Sequence, residues 1–282
     1  MRLRACLRAG KNVLLEGPVG VGKTSLALEM TRELKSPVFR VDGDNRYSEQ
    51  RLSGWFDPPS VIQKGYTAET FMPGPLVEAM KSGGVLFINE LNRLPEGVQN
   101  VLLPAIDERL IVVPRLGEVR AARGFLVIAT QNPKEFVATS HLSEAVLDRF
   151  ELIVLDYQAE EEEVRIVTQR LSQVSSHLTD SRLARASVKL IRLTRDHPRV
   201  RRGASVRAAL SVAEVTGELV ASGMAVTDAF FQAALLALPT RIEFERDADS
   251  DLSPRAEMES LLKGWTDHVW QLMEDPHLKK KQ

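Results

Sequence analysis

The sequence predicts an α/β domain on a five-stranded parallel sheet, followed by a small all-helical domain. Three observations carry this. Short apolar runs alternate with helical stretches up to about residue 156, a rhythm that gives a parallel sheet with helices on both faces. Beyond residue 156 the strand signal stops and helical periodicity continues alone. A glycine-rich turn, Gly17-Pro18-Val19-Gly20-Val21-Gly22-Lys23-Thr24, stands between the first strand and the first long helix.

Residues 2–9 read as the end of a short helix stopped by Gly10, and Asn12 to Glu16 as strand one. The helix after the turn opens at Ser25 and runs to about Leu34, with Pro37 marking its end. Val38 to Asp42 alternates apolar and polar residues before Gly43, as strand two. Residues 43–75 hold four prolines with Trp55, Phe56, Tyr66 and Phe71, and read as a long structured loop rather than a core element. Such loops are functional, or are surface excursions packed on their own side chains. Leu76 to Lys81 is a short helix ended by Gly83-Gly84. Val85 to Ile88 fits a strand buried on both faces. Pro95 begins a helix with Val98, Val101, Leu102, Ala105 and Ile106 on one side. Leu110 to Val113 and Val119 to Ala122 resemble a hairpin. Phe125 to Thr130 and Leu152 to Leu155 are the remaining strands, with a helix around Ser143 to Asp148 between them.

The second domain opens on Glu160 to Glu163, acidic where the helix dipole favours it, with Val164, Val167, Leu171 and Val174 along one side. Leu183 to Thr194 is the next helix. Gly203-Ala204-Ser205 starts a third, with Val206, Leu210 and Ala213 on its apolar face. A fourth starts at Val226 with Thr227 as candidate cap and stops at Pro239. The expected division is 1–156 for the nucleotide-binding domain, 157–245 for the helical lid, and 246–282 for a linker and C-terminal helix, with Lys279 to Gln282 frayed.

Composition bounds the function classes. With 44% hydrophobic and 27% charged residues, the chain suits a soluble globular protein. A formal charge of −1 gives no bulk electrostatic reason for nucleic-acid binding. The single cysteine, Cys6, excludes an intrachain disulfide and a cysteine-based metal site. The start, Met1-Arg2-Leu3-Arg4, lacks an apolar stretch, so no signal peptide is expected. No run approaches the about 18 apolar residues of a membrane span, and a cytoplasmic location is expected.

The glycine-rich turn has the chemistry of a phosphate-binding loop. Its glycines let several N–H groups face one anion, and the following helix adds its positive end. Gly17, Pro18, Val19, Gly20, Val21, Gly22, Lys23, Thr24 and Ser25 are the candidate nucleotide-binding residues. Lys23 can neutralise β- and γ-phosphate oxygens, and the Thr24 hydroxyl can ligate Mg²⁺. Ligands of parallel sheets bind at the carboxyl ends of strands, so the loop, Asn89-Glu90 and Asn132 are expected to converge. There Asn89 can orient a metal's waters, and Glu90 can polarise an attacking water as general base. Asn132 can bond a γ-phosphate or the lytic water, though asparagine before proline is also a turn former. Arg149 can act as an arginine finger on a neighbour's γ-phosphate, or serve as a surface ion pair. Arg207, in the first turn of the third lid helix, can report the state of the γ-phosphate or simply cap its helix. The cluster of Arg199, Arg201 and Arg202 can bind phosphate or form a surface patch.

These residues resemble an AAA+ ATPase, and more narrowly the MoxR family, over about residues 10–240. Gly17 to Thr24 resembles its Walker A motif, Val85 to Glu90 with Leu91-Asn92-Arg93 its Walker B, and Ala129 to Pro133 its sensor 1. Leu147-Asp148-Arg149-Phe150 is similar to the arginine-finger segment, and Gly203 to Ala208 to sensor 2. Phe71 to Leu76 resembles the stretch before Walker B; residues 50–75 would hold the helix-2 insert, and 110–122 the hairpin before sensor 1. The resemblance implies a ring, usually hexameric, that binds and hydrolyses ATP with Mg²⁺ between subunits. It also implies a chaperone-like remodeller of a protein client, often with a partner carrying a von Willebrand factor A domain, linked to maturation of metalloenzymes and protein complexes. One residue departs from the pattern. Walker B normally carries aspartate where this chain has Asn89, which keeps one acceptor oxygen but no charge. Weaker Mg²⁺ organisation with intact ATP binding is expected, and Asn89→Asp is not expected to lower turnover. Three alternatives stay open: a nucleotide-gated binding module with weak hydrolysis, a DNA translocase on a related fold, and a metal-chelatase-type motor subunit.

Overall fold

The computed structural model describes residues 1–132, 142–174, 181–246 and 251–274. The chain divides into two compact units, the first Met1–Asp156 and the second beginning at Tyr157. The first unit runs, in order, through α1 (Arg2–Arg8), β1 (Val13–Glu16), α2 (Lys23–Leu34), β2 (Val38–Asp42), α3 (Glu49–Ser53), β3 (Gly54–Phe56) and α4 (Pro58–Lys64). It continues with β4 (Phe71–Pro73), α5 (Pro75–Ser82), β5 (Val85–Asn89), a 3₁₀ turn (Leu91–Arg93), α6 (Glu96–Asp107), β6 (Leu110–Val113) and β7 (Gly117–Arg120). The last elements are β8 (Leu126–Gln131), α7 (Glu144–Leu147) and β9 (Glu151–Val154).

Five strands form the expected parallel sheet, in the order β2-β5-β8-β1-β9. Alternation along each strand splits its side chains between two cores. Leu14, Leu86, Ile88, Val127 and Ala129 pack with residues of α5 and α6 on one face. Val13, Leu15, Val85, Phe87, Ile128 and Ile153 pack with Leu3 and Leu7 of α1 and Ala27 of α2 on the other. Both faces are therefore closed by helices, and the only polar places left on the central strands are their ends.

Several local expectations need correction. Residues 43–75 are not mainly loop: they fold into α3, the β3–β4 hairpin and α4, and they send Tyr47, Leu52 and Phe71 into the core. These elements are too short to show a period in sequence. Trp55 and Tyr66 do stay exposed. The second strand of the β6–β7 hairpin starts at Gly117 rather than Val119, because Arg115 and Gly117 take left-handed backbone and close the turn early. Helix α2 does end at Leu34 as expected, with Lys35 as a left-handed cap, but it starts at Lys23 rather than Ser25.

The second unit contains α8 (Glu160–Val174), α9 (Ser181–Asp196), β10 (Val200–Arg202), α10 (Val206–Ala221), α11 (Val226–Ala237), β11 (Glu243–Phe244) and α12 (Pro254–Glu274). It is helical apart from the short antiparallel β10–β11 ribbon. The buried face of α10 is Ala208, Ala209, Val212, Ala213 and Thr216, rotated from the expected stripe so that Val206 and Leu210 are only partly covered. Thr227 lies inside the first turn of α11, and Ala225 holds the cap position without a side-chain bond. Helix α12, set apart in the sequence reading, buries Met258, Leu262, Trp265 and Val269 in the core shared by α8 to α11. Pro133, the side chain of Val174 and the segment Lys279 to Gln282 lie outside the described residues.

Candidate functional site

The sheet order brings the carboxyl ends of β1, β5 and β8 together, with β2 beside β5. The glycine-rich turn leaves the end of β1 and enters α2 at Lys23. Gly20 and Gly22 take φ of +81° and +92°, a backbone that side-chain-bearing residues rarely adopt. Val21 is buried and anchors the turn, while Val19 and Ser25 face solvent. Lys23 curls back, its Nζ donating to the carbonyls of Gly17 at 2.6 Å and Pro18 at 2.9 Å. That holds the ammonium over the loop whose amides and helix dipole favour an anion.

Beside the loop, Asn89 is the last residue of β5 and joins three elements. Its Oδ1 accepts from Thr24 Oγ1 at 3.0 Å and from Thr130 Oγ1 at 3.2 Å. Its Nδ2 donates to Asp42 Oδ1 at 3.1 Å. Asp42 in turn takes a forked contact from Arg40, with Nε at 2.9 Å and an Nη at 2.7 Å. The Arg40 guanidinium holds the Asp42 carboxyl below the usual carboxylate range, with a smaller contribution from the Asn89 amide.

Glu90 follows with φ 59° and ψ 59°, left-handed backbone on a residue with a side chain. Its N–H donates to Thr130 Oγ1 at 2.9 Å, and its carboxylate accepts from Arg93 at 2.9 Å while staying about one-third exposed, at 34%. Thr130, fully buried, thus bridges Glu90 and Asn89. Asn132 comes just after β8 and is buried, its carbonyl accepting from Asn92 Nδ2 at 3.4 Å.

The structure therefore brings Gly17 to Thr24, Asn89, Glu90 and Asn132 to one end of the sheet. It does not bring Arg149 there. Arg149 precedes β9, whose first residue Glu151 pairs with Val13 at the start of β1, so it sits at the amino end of the parallel strands. Its Nε donates to Asp107 at 2.6 Å, and it lines a hollow of about 280 Å³ with Lys11, Asn12 and Asp107. Arg207 belongs to the second unit, exposed in the first turn of α10. Arg199 and Arg201 are paired with Glu257 and Glu245, and Arg202 is exposed. The sequence reading passed over two contributors, Asp42 and Thr130. A polar residue closing a strand before Gly43 was the available signal for Asp42, and the strand position of Thr130 was the signal for it.

The donor set can be tested against a divalent cation. Thr24 and Asn89 present hard oxygens within 3.0 Å of each other, and the Asn89 amide turns its oxygen, not its nitrogen, toward Thr24. Hard oxygen donors suit Mg²⁺, which keeps most of its waters and takes few protein ligands. The residues fit the ion.

Residues 12–150 match the AAA domain of the dynein-related subfamily. An uncharacterized protein of Staphylococcus epidermidis is 29% identical over 214 residues, 75% of this chain and 80% of that protein. One of Staphylococcus aureus is 35% identical over 156 residues, 55% of this chain; the alignment spans 59% of that protein, under two thirds of its length. Among solved structures, the RuvB Holliday junction branch migration motor of Thermotoga maritima is similar at a TM-score of 0.54 and 19% identity, covering 83% of this chain and 65% of that one. This last likeness concerns the fold.

Proposed function

We propose that the chain, whose residues 12–150 match the AAA domain of the dynein-related subfamily, is an Mg²⁺-dependent ATPase whose turnover remodels a protein partner. One observation carries the reading: Lys23, Thr24, Asn89, Glu90 and Asn132 stand together at the carboxyl ends of β1, β5 and β8. ATP would lie with its phosphates on the loop amides and Lys23. Thr24 and Asn89 would hold Mg²⁺, which when bound offsets charge on the β- and γ-phosphate oxygens. Glu90 would accept a proton from water as that water's oxygen bonds to the γ-phosphorus and the bond to the β–γ bridging oxygen breaks, leaving ADP and phosphate. Asn132 would orient the same water or a γ-phosphate oxygen.

Arg149 is at the wrong end of the sheet to serve its own loop. That supports its use in a neighbouring copy, and with it a ring, hexameric in the resembling MoxR family, in which Arg207 couples the helical unit to the nucleotide. Pairing of Arg199 and Arg201 with acidic residues supports a protein client over DNA. A partner with a von Willebrand factor A domain, action on a metalloenzyme or protein complex and a cytoplasmic setting complete the proposal. Among the described residues no helix is long and apolar enough to cross a membrane. A second reading, a nucleotide-gated module with weak turnover, is favoured by Asn89 alone.

Phosphate release and ATP binding measured on wild type and Glu90→Gln separate the two. The ATPase reading expects wild-type turnover, a fall of roughly 10²- to 10⁴-fold in the variant, and unchanged ATP affinity. Background turnover in both, with normal affinity, supports the module instead; full turnover in the variant removes Glu90 from its role.

A further inference from the structure

We propose that Asp42 is the positioning residue of the metal half-site: it fixes the Asn89 amide with its oxygen toward Thr24, and it places one strand over the negative charge that position 89 lacks. This rests on the reading of Thr24 and Asn89 as the residues that hold Mg²⁺.

A carboxylate at position 89 would present an oxygen whichever way it turned. An amide presents oxygen one way and NH₂ the other, and an NH₂ group facing a cation is repulsive. Asparagine therefore needs something to set its orientation. Asp42 supplies it. An ionised carboxylate only accepts hydrogen bonds, so the amide nitrogen must face Asp42 at 3.1 Å. The hydroxyls on the other side agree. Thr130 Oγ1 already accepts from the Glu90 N–H at 2.9 Å, which leaves its proton for Asn89 Oδ1. Thr24 points its own hydroxyl at the same oxygen.

The backbone is built for this pairing. Asp42 and Asn89 are the last residues of β2 and β5 and are register partners. Gly43 then donates its N–H to the Asn89 carbonyl at 2.7 Å. A Cβ at Gly43 would sit 2.0 Å from the Glu90 carbonyl oxygen, so only glycine lets the two strand ends approach this closely. Arg40 steadies the carboxylate by bonding both of its oxygens, including the one that accepts from Asn89.

The arrangement revises the expectation for Asn89→Asp. That change alone sets two carboxylates against each other where an amide and a carboxylate now bond. The exchange Asp42→Asn with Asn89→Asp should restore the pair with its roles swapped. The test titrates a fluorescent ATP analogue into the full chain, with EDTA and across Mg²⁺ concentrations, and records nucleotide-free melting. Asp42→Asn is expected to leave affinity in EDTA within about twofold and to raise the Mg²⁺ needed for half-maximal effect about tenfold, the size typical of groups that orient metal ligands. Asn89→Asp is expected to melt below wild type without Mg²⁺, and the exchange variant to recover both properties. Wild-type Mg²⁺ dependence unmoved in Asp42→Asn, or an exchange variant no better than the two single changes combined, overturns the role of Asp42 alone. A wild-type chain that binds no nucleotide in either condition overturns both this role and the reading beneath it.

Discussion

Each unit holds a knot of charged side chains, and the two knots differ in how they meet water. In the helical unit, Glu163 of α8 is wholly buried, with an Arg192 nitrogen at 3.1 Å and an Arg195 nitrogen at 2.8 Å. Arg195 also donates to the Ala204 carbonyl at 2.8 Å and lies over the Tyr157 ring. At the strand ends of the first unit, Asp42 and Glu90 are also paired with arginines, yet their side chains keep 57% and 34% of their exposure. The buried knot joins α8 to α9 and encloses its carboxylate completely, although the Arg192 side chain keeps 35% of its exposure. The half-open knot sits on strand ends beside an anion-binding loop, one of its members in left-handed backbone. One carboxylate is enclosed between helices and ties them together, whereas those at the strand ends stay within reach of water.

Changes to each knot can break that contrast. The largest effect is expected from Glu163→Ala, which leaves two arginine groups without their buried partner and should cost about 3–5 kcal/mol in urea unfolding. A loss under about 1 kcal/mol would mean that α8 and α9 are held by their apolar face alone. Thr130→Val comes next. It keeps the shape but strips the partner from the Glu90 N–H and one of two donors from Asn89 Oδ1, which keeps Thr24, for about 1–3 kcal/mol, and it should weaken Mg²⁺-dependent nucleotide binding as well. A stability loss with no change in binding would make Thr130 purely architectural. The smallest effect is expected at the exposed Glu161, whose carboxyl the Arg185 guanidinium holds below its ordinary range. Its contribution is complete above the unfolded carboxyl pKa and fades as pH falls through the lowered folded value. Melting curves of wild type and Glu161→Gln should therefore differ slightly at neutral pH and merge in acid; a gap that widens in acid would reverse the sign.

Much of the first unit is legible in its sequence. The glycine-rich loop is a run of consecutive residues, so its place between β1 and α2 could be read directly. Val85 to Ile88 and Phe125 to Thr130 are apolar enough to declare buried strands, and their ends pointed to Asn89, Glu90 and Asn132. The Asp42–Asn89 pair was not legible, because it depends on β2 lying beside β5 rather than beside β1. Nothing local in either strand states that order. The helices and hairpin of residues 43–75 were missed for a different reason: α3 spans five residues and β3 three, less than any period needs to repeat. Thr227 misled because a cap-forming residue type near a helix start says nothing about which residue begins the turn.

The backbone at Glu90 bears on how this position can be interrogated. With φ and ψ both at 59°, it belongs to a region that costs an ordinary residue roughly 1–2 kcal/mol and a β-branched one more. A library of every substitution at position 90 would thus be sorted by two unrelated filters. Gly and Asn should yield the most folded chain and lose the proposed hydrolysis, and Val, Ile and Thr should yield the least folded chain. Gln keeps the unbranched stem of the native residue, so it alone reads the missing charge without a conformational surcharge.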